Sequence, residues 1–313
     1  MQWDRDKVLM ELSEFSFLES SSGGALEEYR QFYDLDFSDF KVEVDYSVGW
    51  VAADEFKVVL QTFRPVNAIA TVFVFHGYFD HSGIYHHLIS FLLTLGFSVV
   101  VYDMPGHGLS SGRPTSISRF EQYQRVLDEV LVVCDGTLPR PYHAVGQSTG
   151  AAVLIDRLSK EQSRITDFDK VVLLAPLVRP KGWKGISHIH SLFSPFLKVW
   201  RRSFSINSND VKFLEFLKDH DPLQSKWLAV DWLGALKEWI VELERRVPVQ
   251  KKLMIVQGTA DQTVDWQHNI AVIKSLFLEV KVCYVDGGHH HLVNEELSKR
   301  AAVFGLLEDE LLG

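Results

Sequence analysis

The chain has 313 residues, 46% hydrophobic and 23% charged, with a formal net charge of −9. That balance excludes a disordered polymer and provides a substantial core without disulfides or structural metals. An acidic surface also argues against a phosphate-backbone partner, so no nucleic acid is expected.

The first forty residues are acidic and partly helical in pattern, interrupted by Ser20-Ser21-Ser22-Gly23-Gly24. They carry no motif and read as a packing or capping extension. The start, Met1-Gln2-Trp3-Asp4-Arg5-Asp6-Lys7, has charges where a signal peptide needs an apolar run. No stretch approaches the ~20 apolar residues of a membrane span, so a cytoplasmic protein is expected. The two cysteines, Cys134 and Cys283, fall in apolar runs and are expected to be buried and inert.

From Lys41 the pattern changes. Lys41–Asp45 and Phe56–Phe63 alternate as half-buried strands and open a sheet as a hairpin. Short apolar runs follow at Ala70–Phe75, Phe97–Tyr102, Tyr142–Val145, Val171–Ala175, Leu253–Val256 and Val280–Tyr284. Helical periods at Tyr85–Leu95, Phe120–Cys134 and Ala151–Leu158 separate them. Continuous apolar strands alternating with helices predict a mainly parallel sheet covered on both faces. Residues 179–245 break this rhythm: they read as helical without a strand and hold five of the eight tryptophans. The expected organisation is one domain, with a core of 41–178 and 246–313, a helical cap over about 179–245, and 1–40 as an N-terminal extension.

Gly146-Gln147-Ser148-Thr149-Gly150 follows an apolar strand and opens a helix. That strand–turn–helix setting is where a nucleophilic serine is held, with helix N–H groups facing a developing oxyanion. A serine needs a base, and the base an orienting carboxylate, in the chain order Ser, Asp or Glu, His. Asp261 lies just beyond one late strand, and His289, His290 and His291 follow the next. All sit at C-terminal strand ends, where catalytic groups collect in open α/β sheets. The loop His76-Gly77-Tyr78 supplies the other half of an oxyanion hole, the N–H of Tyr78 pairing with that of Thr149. His76 is expected to support that turn. Adjacent histidines point in different directions, and neither they nor His81, His86 and His87 have metal-ligand spacing; no metal is expected. Asp103 and His107 read as structural, and Arg201–Arg202 as a solvated charge pair.

The motifs taken together resemble the monoacylglycerol lipase and lysophospholipase group of the α/β-hydrolase superfamily, within the S33-type serine aminopeptidase family. The likeness rests on His76-Gly77-Tyr78-Phe79-Asp80-His81-Ser82-Gly83-Ile84-Tyr85, on Asp103 to Gly112, on Asp221-Pro222-Leu223, and on Gly287 to Glu295. It covers residues 70–300. The resemblance implies an α/β-hydrolase fold, a cap over the active site forming an acyl channel, and His290 as the base among the three histidines. Catalytic Ser148, Asp261 and His290, with the backbone N–H groups of Tyr78 and Thr149, would then hydrolyse a small-molecule acyl ester such as a monoacylglycerol or lysophospholipid, without cofactor. A transient contact of the cap with a membrane surface is part of the same picture; the oligomeric state is not specified. The chain departs from the family at Gln147 and Thr149, where histidine and methionine are usual, and at Ile84, where arginine is common. Thioester, C–C or peptide cleavage on the same triad, and a non-catalytic binding protein on this scaffold, are the alternatives.

Overall fold

The computed structural model describes residues 3–18, 23–38, 43–160, 168–202 and 204–313. Two short helices, α1 (Arg5–Glu11) and α2 (Gly24–Phe32), precede the hairpin β1 (Val44–Ala53) and β2 (Phe56–Pro65). There follow β3 (Thr71–Phe75), α3 (His86–Thr94), β4 (Ser98–Tyr102), α4 (Glu121–Cys134), β5 (Tyr142–Gln147), α5 (Thr149–Leu158) and β6 (Val171–Leu174). An insertion carries α6 (Trp183–Phe193), β7 (Val199–Arg201), α7 (Val211–Glu215), β8 (Trp227–Ala229) and α8 (Val230–Leu243). The chain closes with β9 (Val249–Gly258), α9 (Trp266–Leu276), β10 (Phe277–Val285) and α10 (Leu297–Leu312).

The eight-stranded sheet runs β1-β2-β4-β3-β5-β6-β9-β10, parallel except that β2 opposes β1 and β4. Side-chain alternation builds a core on each face. Phe73 and Phe75 join α4, α5 and α8 on one side, while Val72 and Val74 join α2, α3 and α10 on the other. All five residues of β3 are buried, which is why these strands read as continuous apolar runs.

The first strand differs from the expected Lys41–Asp45. Lys41 and Val42 lie outside the described residues, and β1 runs on to Ala53. Ser47 and Gly49 interrupt its apolar alternation, and Gly49 has a spatial reason. A β-carbon there would stand 2.6 Å from Phe15 Cα, because the N-terminal segment pairs along this edge: Phe15 N–H donates to Trp50 O and Trp50 N–H to Ser13 O, each at 2.9 Å. The extension thus covers an edge strand that would otherwise be open, and Trp3, Tyr29 and Tyr33 pack edge-to-face beneath it.

The insertion is not strand-free, as its sequence suggested. Its β7 and β8 pair antiparallel, but at three residues each they are too short to show alternation. One end is fixed deep in the core. Asp156 of α5 accepts from Trp239 Nε1 at 3.0 Å, Arg246 Nη2 at 2.6 Å and Lys160 Nζ at 2.9 Å. Cys134 is buried as expected, whereas Cys283 is partly exposed because β10 is the sheet's outer strand.

Candidate active site

Ser148 links β5 to α5 with φ 53° and ψ −108°, a conformation that non-glycine residues rarely adopt. Its neighbours must be glycine. A β-carbon on Gly146 would come within 2.8 Å of Ala151 N, and one on Gly150 within 2.2 Å of Phe75 O. The sharp turn leaves Thr149 as the first residue of α5, so its N–H has no helical acceptor.

The loop after β3 comes alongside. A side chain at Gly77 would lie 3.5 Å from Ser148 Cβ. The N–H of Tyr78 has no acceptor among the described residues. His76 shapes this turn as expected: its Nδ1 donates to Gly77 O and its Nε2 accepts from Met104 N–H, both at 2.8 Å. Burial lowers its pKa, consistent with a neutral ring. Asp80 is a determinant that motif reading passed over. Its Oδ2 accepts from Gly77 N–H at 3.1 Å, Tyr85 OH at 2.9 Å and His291 Nε2 at 3.1 Å. Burial favours the neutral acid, but the neighbouring histidines and Tyr85 outweigh it and hold this carboxyl well below the usual range.

Asp261 follows β9 and His290 follows β10. His290 Nδ1 donates to Asp261 Oδ2 at 2.8 Å, and both side chains are buried. Asp261 is fully satisfied, its Oδ1 accepting from the N–H groups of Thr263 and Val264 and its Oδ2 also from Gln257 Nε2. Burial disfavours both charges, yet mutual attraction and hydrogen bonding prevail: the His290 pKa is raised and that of Asp261 lowered. His290 Nε2 has no protein partner among the described residues.

Two glutamines tie these parts together. Gln147, immediately before Ser148, donates from Nε2 to His290 O at 2.8 Å, joining the strand of the serine to the backbone of the histidine. Gln257 steadies Asp261 from below. Neither carries a motif signal; only burial at a strand's C-terminal end marks them. The histidine triplet separates, His291 turning to Asp80 and His290 to Asp261. Asp103 binds Ser82 and Leu109 rather than His107, whose Nδ1 donates to Pro105 O. Among the described residues no three His, Cys, Asp or Glu side chains converge as a metal site.

The insertion meets the same loops. The Tyr78 ring stacks on Trp232 at 3.8 Å, and Tyr78 OH accepts from Ala229 N–H. His291 N–H donates to Asn207 O at 2.7 Å, while Glu295 accepts from Asn209 N–H and His289 N–H. Asn294 Nδ2 reaches Ile84 O, so the Asn-Glu ending fastens the histidine loop to both the insertion and the loop after β3. Arg202 departs from the solvated pair expected: its guanidinium lies over the Phe79 ring at 4.0 Å.

This architecture matches solved structures of the α/β-hydrolase fold. A soluble variant of monoglyceride lipase from Saccharomyces cerevisiae, in complex with a substrate analog, superposes with a TM-score of 0.72 at 15% identity, covering 88% of this chain and 96% of that one. The monoacylglycerol lipase of Paleococcus ferrophilus gives 0.68 at 18% identity over 81% and 99%. The family model for serine aminopeptidase, S33, matches residues 66–297, and the chain belongs to that family of hydrolases. Among relatives, the monoglyceride lipase of Mus musculus is 27% identical over 237 residues, 73% of this chain and 77% of the mouse protein. Phospholipase YtpA of Bacillus subtilis is 24% identical over 253 residues, 75% and 92% respectively.

Proposed function

We propose that the protein is a serine hydrolase of carboxylic esters, acting on monoacylglycerols, lysophospholipids or related acyl esters through Ser148, His290 and Asp261. The observation that carries this reading is the buried His290–Asp261 pair, 2.8 Å apart, whose free Nε2 belongs to a loop bonded to the residue preceding Ser148. His290 Nε2 removes the proton as Ser148 Oγ attacks the acyl carbon. Asp261 fixes the tautomer that leaves Nε2 lone-paired and stabilises the imidazolium that forms. The N–H groups of Tyr78 and Thr149 receive the tetrahedral oxyanion, each contributing roughly 3 kcal/mol. His290 then protonates the leaving alcohol, and water repeats the sequence on the acyl-enzyme.

Residues 179–245 act as a cap that binds the acyl chain and makes transient contact with a lipid surface. Partly buried Trp183, Ile186 and Leu228 pack against the same core cluster as Tyr78 and support this role. An ester is favoured over a peptide amino terminus because Asp80 and Asp221, the carboxylates near the Tyr78 loop, are already held by His291 and His81. A cytoplasmic setting, with both cysteines free, belongs to the same reading.

An ester panel varying acyl length and head group, run on the wild type and on Ser148→Ala, tests the proposal. Turnover by the wild type and loss in the variant are expected, with fluorophosphonate labelling of Ser148 lost in parallel. A folded wild type that neither turns over any ester nor takes the probe refutes it.

A further inference from the structure

The loop that carries Tyr78 holds a side chain the triad does not use. Phe79 has φ 73°, an uncommon backbone for a bulky residue and a kind of strain found at ligand clamps. Its ring supports the guanidinium of Arg202 at 4.0 Å, and Phe204 flanks the same group at 4.6 Å. Arg202 Nη1 donates to Gln224 Oε1 at 2.7 Å. Its Nε–Nη2 edge has no acceptor, and no carboxylate lies within ion-pair distance, among the described residues. A half-buried guanidinium normally finds a carboxylate. Here the nearby acids are taken. Asp80 serves Gly77, Tyr85 and His291, and Asp221 accepts from His81 at 2.9 Å, Tyr33 OH at 2.7 Å and Leu223 N–H at 3.0 Å.

Burial lowers the Arg202 pKa to about 10, so the group stays cationic at neutral pH. The segment that carries it is basic: residues 179–209 contain six Lys or Arg and no Asp or Glu, in a chain of net charge −9. Gln224 Nε2, buried and without a partner, adds a donor on the group that pins the guanidinium.

We propose that Arg202, held between Phe79 and Phe204, receives an anionic phosphate on the alcohol part of the substrate, making monoacyl glycerophosphates the preferred esters. The proposal rests on the ester-hydrolase reading above and narrows it. A free planar edge of two N–H groups matches two phosphate oxygens, a geometry lysine does not offer. Phe79 directly follows Tyr78, so the phosphate would lie beside the oxyanion site, where the leaving glycerol emerges.

The test compares kcat/KM for a 1-acyl-glycerol 3-phosphate with that for the monoacylglycerol of the same acyl chain. The wild type is expected to favour the phosphate ester, and Arg202→Gln to lower the ratio about tenfold or more, chiefly through KM, as befits a charged hydrogen-bonded contact. Arg202→Lys should fall between, and Arg201→Gln, which removes an exposed charge one residue away, should keep the wild-type ratio. Glycerol 3-phosphate should compete with the substrate in the wild type, a readout that stands even where a variant fails to fold. Monoacylglycerol turnover with a ratio untouched by Arg202→Gln, or with no competition by glycerol 3-phosphate, overturns the phosphate assignment and leaves the ester reading intact. Turnover of neither ester overturns both.

Discussion

At Ser148 the backbone is bent into a left-handed conformation and flanked by two glycines that no other residue can replace without collision. Ser148→Ala should therefore keep the fold, seen as an unchanged melting temperature, while ester turnover drops to background; a substantial residual rate would point to another nucleophile. The pH dependence has a definite sign. The base must be neutral, so kcat/KM rises with pH through the His290 pKa, which lies above the ordinary 6.5 because Asp261 outweighs burial. In Asp261→Asn burial is opposed only by the smaller effect of Asp80, so the midpoint of the residual activity should move to lower pH while kcat falls about 10⁴-fold. A midpoint that stays put would mean that Asp261 does not face the base in solution. The three histidines should separate as well. His290→Ala removes activity. His291→Ala removes one of three donors to the buried Asp80 carboxylate and should cost about 1–3 kcal/mol of stability. His289→Ala should do neither, since only its backbone N–H is engaged with Glu295. At this scale Ser148, Asp261 and the histidine cluster stand out as candidates in the sequence because the proposed chemistry asks for their types and their order along the chain. Gln147, Gln257 and Asp80 do not, because a buried amide or carboxylate acquires its role only from the neighbours that folding brings.

At the scale of elements, the buried strands announced themselves through apolar runs, since a strand covered on both faces has no polar register to confuse. The elements that escaped were those built on partners distant in sequence. β1 carries Gly49 for the sake of Phe15, and β7 and β8 are too short to alternate. The insertion illustrates the same point energetically. Its apolar content was visible, but not that α8 is bound to α5 through a single carboxylate. Asp156 is buried and serves Trp239, Arg246 and Lys160 together. Removing it takes the buried carboxylate from Trp239 Nε1 and from the Arg246 guanidinium, whose side chain is 10% exposed and which keeps Glu242 and Ser159 as partners. Asp156→Ala should thus destabilise by about 1–3 kcal/mol, measured by denaturant unfolding. Lys160→Ala should change little, because that ammonium is 40% exposed and already solvated. Comparable losses in the two variants would mean that the buried triad does not anchor the insertion.

Over the whole molecule, apolar side chains gather unevenly at the surface. Leu192, Phe193, Phe196, Val199, Trp200, Ile206 and Trp227 are all exposed and all belong to the insertion, with Phe196 82% accessible. Scattered exposed leucines are ordinary, but a concentration of this kind marks a contact surface. Among the described residues no helix is long and apolar enough to cross a membrane. The six basic residues of 179–209 lie along the same stretch, while the remainder of the chain is acidic. Such a division would orient the molecule in the proposed contact, drawing the basic apolar end toward an anionic bilayer and repelling the acidic body. The protein should therefore float with anionic vesicles at low salt and less so as salt screens the attraction. Leu192→Asp combined with Phe196→Asp should abolish flotation and slow hydrolysis of vesicle-embedded ester. Turnover of a short-chain, monomeric ester should stay at the wild-type rate, because both side chains are largely exposed to solvent. Undiminished flotation in the double variant would remove the insertion as the lipid-facing surface, whereas loss of both activities would assign these residues to packing.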